Sequence, residues 1–174
     1  MTLPRLWLMT DERLGDRLWE AIDRLPQGKA GIVFRHYKTE QKARLVLARR
    51  VAALCGGRQL TLSVARDVNL ASDLDAGLVH NPTQATGRMP FSRAVHSIHE
   101  ATAARDEGAA LIFIAPVYAT RSHPDRKPLG VEAAIQLAAA AGVPAIALGG
   151  LNRERFAPLQ DTFHGWAAID AWLS

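Results

Sequence analysis

A compact single-domain (β/α)8 TIM barrel, an α/β fold with several shortened helices, is what this chain predicts, and three observations carry the prediction. Apolar runs bounded by polar residues or glycine recur along its length, and each reads as a strand buried on both faces, as parallel strands are. Stretches with apolar residues at helical spacing lie between most of them, and alternating strand and helix demands a parallel sheet. The strands number eight, the count at which such a sheet closes. An open doubly wound sheet of fewer strands is the rival arrangement.

Each element has its own justification. Residues 5–10, RLWLMT, give a short strand, and Asp11 is placed to cap a helix carrying Leu14, Leu18, Ala21, Ile22 and Leu25 until Pro26 stops it. Residues 29–37 form a second strand whose far end delivers Arg35, His36 and Tyr37; Thr39 then caps a helix over 40–54, ended by Gly56 and Gly57. The third strand, 59–65, leads to Arg66, Asp67 and a short helical piece at 69–74. The fourth, 77–80, is followed by a polar loop, 81–90, in place of a helix. Residues 91–97 make the fifth strand, with a helix over 98–107 and Gly108 as its stop.

The sixth unit is the most sharply written. Its buried strand, 111–117, opens into a charged loop at 119–129, and Gly130 leads into an Ala-rich helix, 131–141, closed by Gly142. The seventh strand, 144–148, ends on Gly149 and Gly150, after which Asn152 caps a helix at 153–159. The eighth, 163–169, runs into a stub at 170–173.

Composition narrows the function classes. The chain has 174 residues, 48% of them hydrophobic, which is enough for one domain spanning 1–174 with a sizeable core. Its net charge of +4 comes from scattered arginines such as Arg44, Arg49, Arg50, Arg58, Arg153 and Arg155. Without interleaved aromatics or a binding module they read as a solvated basic face, so no nucleic-acid partner is expected. The single cysteine, Cys55, sits in an apolar helical pattern and reads as a packed small hydrophobe in a reducing compartment. The N-terminal apolar run is too short for a signal peptide, and no stretch has the length of a membrane span. A cytoplasmic location without a membrane partner is expected; a homo-oligomer stays open. The four tryptophans read as packing.

In a barrel, the chemistry gathers where the strands' carboxyl ends meet at one rim. That rim would collect Thr10, Asp11, Arg35, Tyr37, Asp67, His80, Asn81, His96, Ser97, Tyr118, Thr120, Gly149, Gly150 and Asp170. Gly149 and Gly150 permit a positive φ and close approach of backbone amides to a phosphate, or simply a tight turn. Arg35 offers a planar fork to an anion, or pairs with a carboxylate such as Asp67. His80 and His96 could exchange protons near neutral pH or serve as hydrogen-bonded packing residues, and with Asp67 they match no metal-ligand spacing. Thr120, Arg121, Ser122, His123, Arg126 and Lys127 give the sixth loop the charge and hydroxyls to fold over an anionic ligand.

Residues 92–156, SRAVHSIHEATAARDEGAALIFIAPVYAT through KPLGVEAAIQLAAAAGVPAIALGGLNRERF, resemble the thiamine phosphate synthase family and its thiazole tautomerase relatives, which are (β/α)8 barrels. The resemblance extends more faintly from Leu6 to the C-terminus. It implies an enzyme of thiamine biosynthesis, a transferase joining hydroxymethylpyrimidine diphosphate to thiazole phosphate with loss of pyrophosphate, eased by Mg²⁺. The partners implied are these phosphorylated pyrimidine and thiazole small molecules. The family's Gln-x-Arg-x-Lys falls on Val33, Arg35 and Tyr37, keeping only the arginine. Its metal-binding Asn-Asp pair falls on Ala65 and Arg66, with Asp67 one place later, and residues 81–84 hold no aspartate.

Arg35, His96, Ser122 and His123 are therefore the catalytic candidates, and Asp67 is the metal candidate. Tyr37, His80, Thr120, Gly149, Gly150, Ile169 and Asp170 are the phosphate and substrate candidates. The family's Gly-Pro-Val-Phe-x-Thr stands here as Ala115 to Thr120, and its loop Thr-Lys as Ser122 and His123. The tautomerases' histidine corresponds to Pro116. Ile169 and Asp170 replace the family's Ile-Ser, which brings a carboxylate towards the phosphate position. The alternative function is a diverged tautomerase-like enzyme or a non-catalytic barrel that binds a phosphorylated ligand.

Overall fold

The structure, a computed structural model, describes residues 2–122 and 125–173. Eight parallel strands follow one another in chain order as a closed barrel, β1 (Leu6–Met9), β2 (Ala30–Phe34), β3 (Thr61–Ala65), β4 (Leu78–His80), β5 (Phe91–Val95), β6 (Leu111–Ile114), β7 (Ala145–Leu148) and β8 (Gly165–Ala168). Closure excludes the open doubly wound sheet. Among the described residues six helices are interleaved: α1 (Arg17–Asp23), α2 (Gln41–Arg58), α3 (Val68–Asp73), α4 (Ile98–Asp106), α5 (Val131–Ala141) and α6 (Arg153–Phe156). The shortened helices fall where the sequence places them, at α3, in the helix-free stretch between β4 and β5 and in the final 3-10 turn Asp170–Leu173, while α6 ends at Phe156 and passes into a 3-10 turn, short of the helix expected over 153–159.

The chain divides into two compact units, residues 1–90 with 169–174, and residues 91–168. In the first, β1 to β4 pair in sequential register, with Trp7 beside Gly31 and Met9 beside Val33. Trp7 is wholly buried and its ring occupies the space a side chain at position 31 would need, which explains a glycine inside a central strand. Its indole donates to the Pro4 carbonyl at 2.8 Å, and Trp172 donates to the Trp7 carbonyl at 3.1 Å, tying the last turn to β1. In the second unit, β5 to β8 pair in the same sequential way. Ala101 and Ala104 of α4 and Ala134, Ala138 and Ala141 of α5 are buried, and small side chains let these neighbouring helices approach closely.

Several boundaries differ from the expectation, each for a local reason. Asp11 caps a single 3-10 turn, Glu12–Leu14, accepting from the Arg13 amide; Gly15 at φ 50° then breaks the path, and α1 starts afresh at Arg17. The α2 cap is Glu40 in place of Thr39, its carboxylate accepting from the Lys42 and Ala43 amides. Gly56 and Gly57 do not stop α2, which continues to Arg58 and ends on Gln59 at φ 55°. The Leu60 amide donates to the Cys55 carbonyl at 2.9 Å, so glutamine performs the left-handed closure usually left to glycine. Cys55 is buried, and burial pushes its thiol up to about 12, as a packed hydrophobe requires. No helix among the described residues is long and apolar enough to cross a membrane.

Candidate active site

The carboxyl ends of β1 to β4 carry a dense polar network in the first unit. Register places Thr10 and Asp11 beside Arg35: the Arg35 amide donates to Thr10 Oγ1 at 2.9 Å, its Nε to the Thr10 carbonyl at 2.8 Å, and its Nη2 to Asp11 Oδ2 at 3.1 Å. Arg35 therefore pairs with Asp11 and not with Asp67: the β1–β2 register continues to Asp11 beside Arg35, whereas the β2–β3 register puts Ala65 there and leaves Asp67, two residues later, to Arg44. Burial lowers the Arg35 guanidinium from its usual value and Asp11 opposes the change.

His36, which the sequence reading left out of the site, is buried at the hub of this network. Its Nδ1 shares a 2.9 Å hydrogen bond with Thr10 Oγ1, and its ring stacks on Phe34 with centroids 5.0 Å apart. Burial depresses its pKa, against the pull of Glu12 and Asp11, so the neutral imidazole is favoured. Glu12 in turn accepts from the Lys38 amide at 2.7 Å. The signal for His36 is its position: it stands directly after a buried run and beside the arginine that ends it.

Tyr37 follows, half exposed, with the Arg66 guanidinium 4.4 Å from its ring centroid. His80 is buried at the end of β4, its Nε2 3.3 Å from Asn81 Nδ2, a packing role rather than an exposed one. Three non-glycine residues with positive φ sit just beyond three successive strands: His36 at 31° after β2, Arg66 at 69° after β3 and Asn81 at 48° after β4. Ile169 is buried, and Asp170 opens the last 3-10 turn as an exposed carboxylate.

The Mg²⁺ that the resemblance implies does not match these donors. Asp67 Oδ1 caps α3 by accepting from the Leu70 amide at 2.9 Å, and Oδ2 is paired with Arg44 Nη1 at 3.3 Å. A helix N-terminus and a guanidinium already satisfy this carboxylate, and both repel a cation. No cluster of three His, Cys, Asp or Glu suited to a metal occurs among the described residues.

In the second unit, glycine and backbone replace charged side chains. Gly149 at φ 100° and Gly150 at φ 63° follow β7. A Cβ on Gly149 would lie 2.8 Å from Pro116 Cα, and one on Gly150 only 2.5 Å from the Ala119 carbonyl, so neither position accepts a side chain. Their carbonyls are engaged, Gly149 by the Tyr118 amide at 3.1 Å and Gly150 by Arg155 Nη1 at 2.8 Å. Tyr118 closes the clasp by donating its hydroxyl to the Arg155 carbonyl at 2.9 Å.

The sixth loop is pinned at its base: Leu129 and Gly130 amides donate to the carbonyls of Pro116 and Val117 at 2.8 and 3.0 Å. Thr120 Oγ1 accepts from the Ser122 amide at 3.3 Å, so these two candidates are brought together within the loop. His123 lies outside the described residues. His96 stands one residue past β5; its Nδ1 bonds to the Ala115 carbonyl, beside the cis Ala115–Pro116 peptide, and its Nε2 lies 3.3 Å from Arg126 Nη1. A guanidinium only donates, so Nε2 accepts and Nδ1 carries the proton. Glu100 accepts from the His96 amide at 2.6 Å while Ser97 caps α4, fixing the turn that carries the ring.

Comparison with known proteins places the fold in a family. Residues 6–171 match the family model described as thiamine monophosphate synthase. The thiamine-phosphate synthase of Marinobacter nauticus is 28% identical over 170 residues, covering 90% of this chain and 76% of that one. The thiamine-phosphate synthase of Salinibacter ruber is 30% identical over 185 residues, covering 98% of this chain and 82% of that one. Among solved structures, the thiamine phosphate pyrophosphorylase of Pyrococcus furiosus superposes with a TM-score of 0.82 at 21% identity, over 96% of this chain and 86% of that one, and shares the fold. With a match running from β1 into the last turn, this chain belongs to the thiamine monophosphate synthase family.

Proposed function

We propose that the chain is a thiamine phosphate synthase, joining hydroxymethylpyrimidine diphosphate to thiazole phosphate with release of pyrophosphate. The observation that carries the reading is the family match over residues 6–171, together with a glycine pair that cannot be replaced without collision. The Gly149 and Gly150 amides donate to no other described residue, and adjacent amides on a positive-φ turn make a nest for phosphate oxygens. Thr120 and Ser122 add hydroxyl donors from the neighbouring loop. His96, with both ring nitrogens occupied, serves as a positioning residue that steadies Arg126 rather than as a proton carrier.

A second reading, a barrel that binds a phosphorylated ligand without synthase turnover, is favoured by one observation: Asp67 is committed to Arg44 and the α3 cap. Tautomerase chemistry is disfavoured because Pro116 stands where that histidine is needed. An assay for thiamine phosphate from both substrates with Mg²⁺ present, run beside calorimetry with thiazole phosphate, separates the readings. Product supports the synthase; binding without product at high enzyme concentration supports the second; absence of both product and binding removes both.

A further inference from the structure

Three guanidiniums converge on the carboxyl ends of β2 and β3, and two are already spent on carboxylates. Arg35 is held by Asp11 at 3.1 Å, and Arg44 by Asp67 at 3.3 Å. Arg66 is exposed, and no carboxylate among the described residues forms an ion pair with it; its contact is the face of Tyr37 at 4.4 Å. A guanidinium stacked on a ring keeps its N–H edge in the plane and available, the fork geometry that oxyanions accept in pairs. The backbone beneath it is fixed: the Arg66 amide donates to the His80 carbonyl at 2.8 Å, and the Arg66 carbonyl accepts from Thr83 Oγ1 at 3.3 Å.

That backbone stands at φ 69°, where a long side chain is strained and glycine is not. Strain retained at a strand's carboxyl end points to use of the side chain. We propose that Arg66, seated on Tyr37, is a built-in cation that binds a diphosphate-class anion without a divalent metal, at the position where the resemblance puts a metal-binding aspartate. The inference rests on the synthase reading and gives it a route around the mismatched Mg²⁺ donors.

The test is calorimetric titration of the full chain with inorganic pyrophosphate, in EDTA and in Mg²⁺, for wild type, Arg66→Gly and Arg66→Lys. Expected is binding in EDTA within about twofold of that in Mg²⁺, weakened at least about tenfold in Arg66→Gly and partly rescued in Arg66→Lys. Arg66→Gly relieves the positive φ, so its thermal midpoint should hold or rise while binding falls, a split that a structural role would not produce. Binding that requires Mg²⁺, binding unaltered by Arg66→Gly, or no pyrophosphate binding in either buffer overturns the proposal. Thiazole phosphate binding, measured alongside, reports on the synthase reading independently.

Discussion

The two units build the carboxyl ends of their parallel strands from opposite materials. In the first, side chains do it: Thr10, Asp11, Arg35 and His36 are linked over 2.8–3.1 Å, Arg44 holds Asp67 at 3.3 Å, and non-glycine residues occupy left-handed backbone. In the second, the backbone does it: Gly149, Gly150 and Gly130 turn the chain, and carbonyls and amides clasp one loop against another. A backbone device tolerates sequence drift everywhere except at its glycines. A side-chain device can be rewritten residue by residue.

The comparison can be broken most severely at Gly150. Gly150→Ala puts a Cβ against the Ala119 carbonyl at φ 63°, and the combined clash and backbone strain should cost on the order of 3 kcal/mol, read as a lower urea midpoint. Arg35→Ala acts by a different route, leaving Asp11 Oδ2 and the Thr10 carbonyl part-buried without the donor that Arg35 supplies. For a pair this accessible to water a loss of about 2 kcal/mol is expected by the same measurement, with Arg35→Lys recovering only part.

The His36 hub sharpens the comparison through pH. Its pKa is depressed in the folded state, so the unfolded chain binds the proton first as pH falls below the ordinary 6.5. The stability it contributes is fully present above that value and is lost as pH drops towards the lower folded one. Thermal midpoints should therefore fall between pH 7.5 and 5.5, and His36→Asn, which tolerates φ 31°, should flatten that slope. Arg66→Gly gives the smallest effect, a gain of about 1 kcal/mol from relieved strain.

How much of this was legible in the sequence follows from the range over which each feature acts. The barrel was, because alternation of buried runs and helical spacing is local and eight repeats leave little choice of closure. Gly149 and Gly150 were legible as a positive-φ turn for the same reason. The partner of Arg35 was not: Asp11 and Asp67 were both within reach on a rim, and only the β1–β2 register, with Met9 opposite Val33, decides for Asp11. The α2 stop was misplaced because Gly56–Gly57 is the stronger local signal, while the helix must reach Arg58 for Leu60 to close back on Cys55. His36 and Arg66 are visible only as polar residues after apolar runs, and their roles depend on Thr10 and Tyr37 from other strands.

The most direct test of a divided labour between side chains and backbone is a crossed calorimetric titration of Arg66→Gly and Gly150→Ala with inorganic pyrophosphate and thiazole phosphate, at a temperature where both remain folded. The account predicts that Arg66→Gly loses pyrophosphate and keeps thiazole phosphate, and that Gly150→Ala does the reverse. Equal loss of both anions in each folded variant, or loss of neither, would contradict it.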